Sequence, residues 1–464
     1  MAEQPDIRLT NEPSEYNLTF GRNIFSFYDY NTTGFKAGLQ IWDKSLGTKI
    51  AEVQQYPNIT GYYHFDLQNI LQNYTTPNYS AEYITNLGDA TNESYNYKLK
   101  YGWINSVGVF QQQGTLPGTG TTSNYVVFGG RKRYDNIYWN EKPYIPEINS
   151  FLSCPVISSQ QIALSDYTIK KSLSGFTDGV PTYISGFTEI YHMKRRRTDD
   201  FVLTFLNGYL GTPPSECKGI KGFRIDLYNG NILQSTIYKS NITSNGGGPN
   251  SVVSGTTEPI YPYDAISIQL GYRSLSGLTS ATTHYYVTSL THRGDGICAA
   301  FDNTFCRTPI SIPYRIDIIE DECNDFSPVQ VSWLNSFGFR DYWFFSKRTD
   351  ESVNISRETY EVVEGSWAST TFEINDYDRG NQVFNQELTI TKSINTSYLS
   401  DAEAQFLKNL FISPDVRVRY DGSTDWVPIV ISDTSWTERT FRKDKFFQYT
   451  LNYNEAHKIQ SQRG

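Results

Sequence analysis

The segment Phe447-Gln448-Tyr449-Thr450-Leu451-Asn452-Tyr453 alternates apolar and polar side chains without a break. Because successive side chains of a β-strand point to opposite faces of its sheet, this pattern predicts a strand with one buried and one solvated face. Residues 415–420 and 426–431 are further strand candidates, and Asp421-Gly422 between them is a turn signal. The C-terminal part of the chain is therefore predicted to form a sheet.

One short helix is predicted before these strands. Ser400 and Glu403 have the spacing of a capping box, in which the serine caps the helix and the glutamate bonds back to the serine N–H. Apolar side chains then recur on one stripe as far as Phe411, and Pro414 ends the helix. We expect a helix near residues 400–412.

Composition extends the β prediction to the whole chain. The 464 residues include 35 Tyr and 27 Phe, and aromatic residues reach 15% while charged residues are only 19%. Aromatic and β-branched side chains suit the half-buried surface of a strand, and 34 Gly supply turns. The chain is predicted to be mainly β, built from multidomain β-sandwich or barrel units.

Three domains are predicted, at roughly 150 residues each. Residues 1–110 are expected to form an Ig-like β-sandwich, residues 111–325 a β-rich middle domain with long loops, and residues 326–464 a C-terminal β-rich domain with one helix. The first boundary rests on residues 111–124, QQQGTLPGTGTTSN, which predict a loop or linker. No internal repeat is apparent.

Charge and targeting signals restrict the function classes. The net charge is −9 and the pI is about 5.2, whereas a dedicated nucleic-acid binder usually carries the opposite balance. No apolar run approaches the ~20 residues of a membrane helix, and residues 1–6 lack the features of a signal peptide. Five Cys without a CxxC pair indicate neither a disulfide framework nor a zinc site.

Catalytic motifs are absent from the sequence, which has no GxSxG, HExxH, GxxxxGK[ST] or GxGxxG. Its five His are scattered without ligand spacing. The acidic residues 320–325 and the segment 376–380 are weak calcium candidates, because Ca²⁺ prefers several oxygen ligands. We therefore predict a protein that is not an enzyme, with no catalytic residues, no cofactor and no metal.

The basic run Lys194, Arg195, Arg196 and Arg197 is the sharpest local charge feature. It is a candidate contact with nucleic acid, such as DNA crossing a channel, or with another subunit. Asp199 and Asp200 follow at once, so a solvated loop is the competing interpretation. Plain core packing explains most of the aromatic residues in clusters such as 134–139 and 341–345, and the surplus suits either sugar stacking or a protein interface. The spread of aromatics along the chain favours the interface.

Three stretches carry a resemblance. They are YPNITGYYHFDL at residues 56–67 within the block 23–74, VSWLNSFGFRDYW at residues 331–343, and residues 399–456. Together they resemble virion proteins of tailed bacteriophages of Bacteroidetes, including the crAss-like group, over about half of the chain. The resemblance implies a ring, hub or adaptor of the neck or tail, and it supplies no catalytic residues.

The function expected from both arguments is mechanical. The chain would be a structural subunit of a tail or neck ring or hub, forming a DNA-passage channel or connector. It would be a homo-oligomer that also contacts other virion proteins, with transient contact to genomic DNA. It would be made in the host bacterial cytoplasm and located in the virion. The alternative is a carbohydrate- or receptor-binding tail adhesin, and a β-sandwich glycosidase with two carboxylates ranks last.

Overall fold

The computed structural model describes most of the chain. The described residues are 4–13, 16–19, 23–31, 34–43, 47–76, 87–90, 94–117, 125–128, 165–167, 169–206, 220, 222–240, 265–271, 274–291, 308–309, 311–319, 326–365, 370–376, 380–432 and 448–456. The protein is mainly β, as predicted, with several sheets and little helix. No helix in these ranges has the length and apolarity needed to cross a membrane.

Two sheets form the N-terminal part. The first is antiparallel and contains β1 (Ile7–Asn11), β3 (Ile24–Asp29) and β6 (Tyr62–Asp66). The second contains β2 (Tyr16–Leu18), β10 (Tyr125–Phe128), β8 (Ser94–Ile104), β4 (Ala37–Asp43) and β5 (Lys49–Gln55), with β9 (Phe110–Leu116) beside β8. One buried cluster takes side chains from both sheets, including Phe25, Phe65, Leu39 and Leu99. This is the packing of a β-sandwich.

The N-terminal sheet continues past residue 110. Strand β9 occupies Phe110–Leu116, so the first half of the loop predicted at residues 111–124 is wrong, and residues 118–124 lie outside the described part. Gln111, Gln112 and Gln113 suit a strand here because β9 pairs with β8 in a largely solvated position. Leu116 and Tyr125 then return to the sandwich core.

Two further sheets lie in the middle region. A seven-stranded sheet contains β11 (Lys170–Ser172), β12 (Glu189–Arg196), β19 (Tyr314–Ile319), β17 (His284–Thr291), β14 (Gly222–Asn229) and β15 (Ile232–Ser240), with β18 (Thr308–Pro309) beside β17. A three-stranded sheet contains β13 (Asp200–Leu206), β16 (Ala265–Gly271) and β7 (Leu87–Ala90). Strand β16 is buried at every position, including the polar Ser267 and Gln269.

Strand pairing does not follow the predicted domain boundaries. Strand β7, from the predicted first domain, pairs with β16, from the predicted middle domain. The described chain divides into two compact units. Unit 1 contains residues 1–320, 333–342 and 408–413, and unit 2 contains residues 321–332, 343–407 and 414–464. The three-domain division itself stays a prediction.

The C-terminal sheet has seven strands in the order β21 (Arg340–Phe345), β20 (Val329–Leu334), β24 (Val416–Tyr420), β25 (Val427–Ile431), β26 (Thr450–Glu455), β23 (Asn381–Asn395) and β22 (Thr349–Glu361). Besides the single turn α1 (Gln68–Leu71), the α-helix among the described residues is α2 (Asp401–Phe411), where it was predicted. The capping box is also confirmed, because Ser400 N donates to Glu403 Oε2 at 2.8 Å.

Three turns of the chain share one hydrogen-bond pattern, in the sequence Asn-x-x-Gly-x. They begin at Asn58, Asn105 and Asn335. In each turn the asparagine Oδ1 accepts the N–H groups two and four residues later, at 2.8–3.1 Å. The glycine has a φ of 83–90°, which an L side chain rarely adopts. The local signal is therefore a turn-forming Asn with a Gly three residues later.

Candidate functional site

Strands β22 and β23 form a hairpin that extends beyond the C-terminal sheet. We call residues 349–395 the hairpin arm. The two strands pair from Thr349 with Ile394 to Glu361 with Asn381, but β26 pairs only with residues 391–395 of β23. Nine residue pairs therefore continue past the last contact with the sheet, a length of roughly 30 Å. Strand β22 is the end strand of the sheet in the described chain.

The arm is exposed, and its two faces differ. All thirteen residues of β22 are exposed, including Val353 at 50% and Ile355 at 46%. Val353 is paired with Ile390 and Ile355 with Leu388, so these four side chains share one apolar face. The alternate positions carry small polar residues on the other face, where Asn354 is opposite Thr389. A two-stranded ribbon of this kind is only marginally stable alone in water.

The distal end of the arm carries a second apolar patch. Five large side chains there are between 47% and 70% exposed: Tyr360, Val363, Phe372, Ile374 and Phe384. A bulge between Glu358 and Thr359 shifts the register at this point. The Tyr360 and Phe384 rings meet edge to face, with centroids 6.4 Å apart. Aromatic side chains presented in this way are typical of the centres of protein interfaces.

A polar cluster anchors the base of the arm in the sheet. Lys392 Nζ donates to Glu455 Oε1 at 2.7 Å and to the Tyr420 hydroxyl at 3.0 Å. Burial raises the pKa of Tyr420 to about 12, so its hydroxyl stays protonated and donates to Glu455 at 3.0 Å. Ile394 is fully buried beside this cluster on β23. The base of the arm is thus fixed, while its apolar face lies in solvent.

Charge is concentrated in the arm. Residues 349–395 contain nine acidic and three basic residues, so they hold six of the nine net negative charges of the chain. Duplex DNA would be repelled by such a surface. Strand β22 itself carries four acidic residues and one basic residue, so pairing of two β22 strands would be opposed by the repulsion of their net negative charges. The arm therefore suits a protein surface that is basic around an apolar depression.

The predicted basic run lies elsewhere, in unit 1. Lys194 is exposed, but Arg195 and Arg196 are buried at the end of β12. Arg195 Nη2 donates to the Tyr342 carbonyl at 3.1 Å, and its guanidinium lies over the Phe201 ring at 4.9 Å. The interpretation of this run as a solvated loop is wrong for Lys194, Arg195 and Arg196, because they are the last three residues of β12 and the two arginines are buried.

The end of the basic run is tied to its own neighbourhood. Arg196 Nη2 donates to Asp199 Oδ1 at 2.7 Å, and both groups are buried. Arg197 donates to the carbonyls of Thr279 and Thr282. The four side chains do not form one continuous basic surface. Contact with nucleic acid or another subunit stays a prediction, and Lys194 and Arg197 are the residues with accessible surface for it.

A second charged cluster surrounds Arg315 on β19. Its guanidinium donates to both oxygens of Asp178 at 2.9 Å and to Asp317 Oδ1 at 2.6 Å. Asp317 Oδ2 lies 2.7 Å from His192 Nε2. Although burial opposes its charge, these hydrogen bonds lower the pKa of Asp317 to about 2. Both carboxylates are therefore ion-pair partners near neutral pH, so the cluster is suited to holding strands together.

The other candidate calcium sites and aromatic clusters offer little functional chemistry in the described residues. Residues 320–325 and 134–139 lie outside the described part, as do residues 377–379 of the second calcium candidate. No group of three potential metal ligands occurs among the described residues. The aromatic residues 341–345 are all buried in β21, so they belong to packing there. Sequence analysis did not predict β22, whose only signal was the pair Val353 and Ile355.

Comparisons with known proteins do not assign the chain to a family. No family model matches the chain, and no curated protein matches it. Among solved structures it aligns with E. coli alpha-2-macroglobulin at 8% identity and a TM-score of 0.18, covering 93% of this chain and 24% of that one. A marsupial T cell receptor gives 10% identity, a TM-score of 0.18 and coverages of 83% and 96%.

Latent PorU from Porphyromonas gingivalis gives 10% identity, a TM-score of 0.17 and coverages of 84% and 32%. The chain thus spans about a quarter of the macroglobulin chain and about a third of the PorU chain. TM-scores of this size carry no argument about this protein.

Proposed function

We propose that the protein is a non-enzymatic structural subunit of a tailed-bacteriophage virion, a ring or hub component of the neck or tail. The observation that carries the proposal is the hairpin arm, whose apolar face and distal patch are exposed in the single chain. In assembly, the arm contacts a neighbouring subunit or virion protein and buries both surfaces.

The arm has the physical properties that assembly requires. Exposed apolar patches rimmed by polar residues mark protein interaction sites. Its negative charge keeps free subunits apart and soluble before assembly, and directs the arm to a basic surface. The phage assignment rests on the resemblance of residues 23–74, 331–343 and 399–456, together with a sequence that has no catalytic motif.

The distribution of charge on the protein supports one region for contact with DNA. The acidic arm faces protein, whereas Lys194 and Arg197 are the residues of the basic run that transient contact with genomic DNA would use. The protein would act in the virion after synthesis in the host cytoplasm.

Truncation of the arm tests the proposal. Replacing residues 354–389 by Asn-Gly joins Val353 to Ile390 through a two-residue turn and keeps the buried Ile394. Native mass spectrometry of the full chain should show a closed oligomer, and the truncated chain should be a monomer with an unchanged melting temperature. A truncated chain that keeps the full-length mass distribution would exclude the arm from assembly.

Point variants separate the apolar face from the rest of the arm. Val353→Asp with Ile355→Asp places two charges on the apolar face and should dissociate the oligomer. Asn354→Asp with Ser356→Asp adds the same two charges on the opposite face and serves as the matched control. Equal loss of assembly in both pairs would mean that charge alone, and not the apolar face, is responsible.

A glycan-binding adhesin is the second candidate, favoured by exposed tyrosines on the N-terminal sandwich. Tyr30, Tyr56 and Tyr62 are exposed, and such rings can stack on sugars. Arg8 lies 4.9 Å from the Tyr30 ring centre and Lys36 lies 5.4 Å from that of Tyr56, so cations already occupy two of the rings. A full-length monomer or trimer that binds a glycan array would favour this function over the ring subunit.

A further inference from the structure

An eight-residue pattern around one type of turn occurs twice in the chain. WINSVGVF at residues 103–110 and WLNSFGFR at residues 333–340 share Trp, Asn, Ser and Gly at the same positions. Each contains one of the Asn-x-x-Gly-x turns described above, between β8 and β9 and between β20 and β21. Both turns lie in unit 1. The two copies can therefore be compared position by position.

The second copy is covered by another segment of the chain. The Asp166 carboxylate accepts the Ser336 N–H at 2.9 Å and also the Ser336 hydroxyl. Asp341 in turn accepts two hydrogen bonds from this segment, from the Asp166 N–H at 2.9 Å and from the Ser165 hydroxyl at 2.5 Å. Phe337 and Phe339, the apolar residues of this turn, are only 7% and 0% exposed. The segment of residues 165–167, with its aspartate, thus occupies the turn.

The first copy presents the same groups to solvent. Ser106 stands where Ser336 does and is exposed, and no described residue plays the part of Asp166. The apolar residues of this turn, Val107 and Val109, are 79% and 54% exposed. Gln111 stands at the position of Asp341 and offers an amide oxygen that can accept in its place.

We propose that the turn at residues 105–109 is a docking site for an aspartate-containing segment of a neighbouring protein chain. An aspartate of that segment accepts hydrogen bonds from the Ser106 N–H and hydroxyl, while adjacent apolar side chains cover Val107 and Val109. Hydrogen bonds to a carboxylate are stronger than those between neutral groups, so the serine decides the chemistry of the partner. The site is separate from the hairpin arm and does not depend on its role.

The third turn supplies an internal control. It has the same backbone bonds, but Ile59 stands at the serine position and is fully exposed. Without the hydroxyl it lacks one of the two groups that hold Asp166 in the second copy. The Asn58 turn should therefore bind no acidic segment.

The test uses a fluorescent peptide with the sequence of residues 163–169, Ala-Leu-Ser-Asp-Tyr-Thr-Ile, and the full-length protein. Fluorescence anisotropy should show saturable binding. Both an Asp→Asn peptide and the Ser106→Ala protein should bind about tenfold more weakly, as expected for loss of a hydrogen bond to a charged group.

Ser106→Thr keeps the hydroxyl and should restore binding, whereas Ile59→Ala should leave it unchanged. Circular dichroism confirms that each variant is folded. No saturable binding to the wild-type protein, or equal binding by the Asn peptide or by Ser106→Ala, overturns the proposal.

Discussion

At the scale of residues, the Arg315 cluster shows how a charged group is stabilised inside a β-protein. Its guanidinium is bound by two carboxylates and lies 4.2 Å from the Phe176 ring centre. His284, which is 1% exposed, has a lowered pKa because of burial and the nearby Arg315 charge. Removing Asp317 takes one of two charged partners from Arg315, which is 4% exposed, and breaking a buried pair costs more than the pair itself contributes.

We predict a pH-dependent loss of stability for Asp317→Asn. A carboxyl whose folded pKa is lowered to about 2 stabilises the protein above its unfolded pKa, and this stabilisation disappears as the pH falls towards 2. Urea denaturation at pH 7 should show a loss of about 2 kcal/mol, which shrinks below about pH 4.

The control for this prediction is Asp350→Asn. Asp350 pairs with Arg348 in an exposed position, where salt bridges contribute little. A loss of stability for Asp317→Asn that stays constant down to pH 2.5 would contradict the assigned role of this carboxylate.

At the scale of elements, the repeated turn allows one substitution to be compared in two environments. In Asn335→Ala, the N–H groups of the buried Phe337 and Phe339 lose their shared acceptor, at about 1–3 kcal/mol for each unsatisfied group. In Asn105→Ala, water replaces the acceptor for the exposed Val107 and Val109, so the loss should be about 1 kcal/mol. Thermal denaturation of both variants measures the difference, and equal melting temperatures would refute it.

Elements with one solvent-exposed and one buried face could be predicted from the sequence. Strands β24–β26 lie where the alternating segments predicted them, and so does α2. Strand β22 could not be predicted in this way, because both of its faces are exposed and no core selects its side chains. The burial of Arg195 was missed since a run of four cations hides the apolar residues Ile190, Tyr191 and Met193 before it.

At the scale of the whole molecule, sheets join segments that are far apart in sequence. Strand β2 pairs in parallel with β10, more than a hundred residues later, and β7 pairs with β16. Local patterns do not specify such partners, which is why the sequence indicated the fold class but not the order of strands in the sheets.

The N-terminal sandwich should fold only if strands β9 and β10 are present. A fragment of residues 1–110 lacks Leu116 and Tyr125 of its core, and it lacks β10, which bridges β2 and β8. We expect no cooperative thermal transition for this fragment by circular dichroism. A fragment of residues 1–128 should show one, and cooperative unfolding of the shorter fragment would contradict the observed sheet as the folding unit.

The pairing of β7 with β16 sets an order of events during synthesis. Residues 87–90 leave the ribosome well before residues 265–271 exist, and at 5–20 residues per second the interval is roughly 10–35 s. Throughout that time the nascent chain carries a strand whose partner has not been made. Such unpaired edges are the surfaces on which incomplete chains aggregate. We therefore expect the nascent chain to be most prone to aggregation before residues 265–271 have been made.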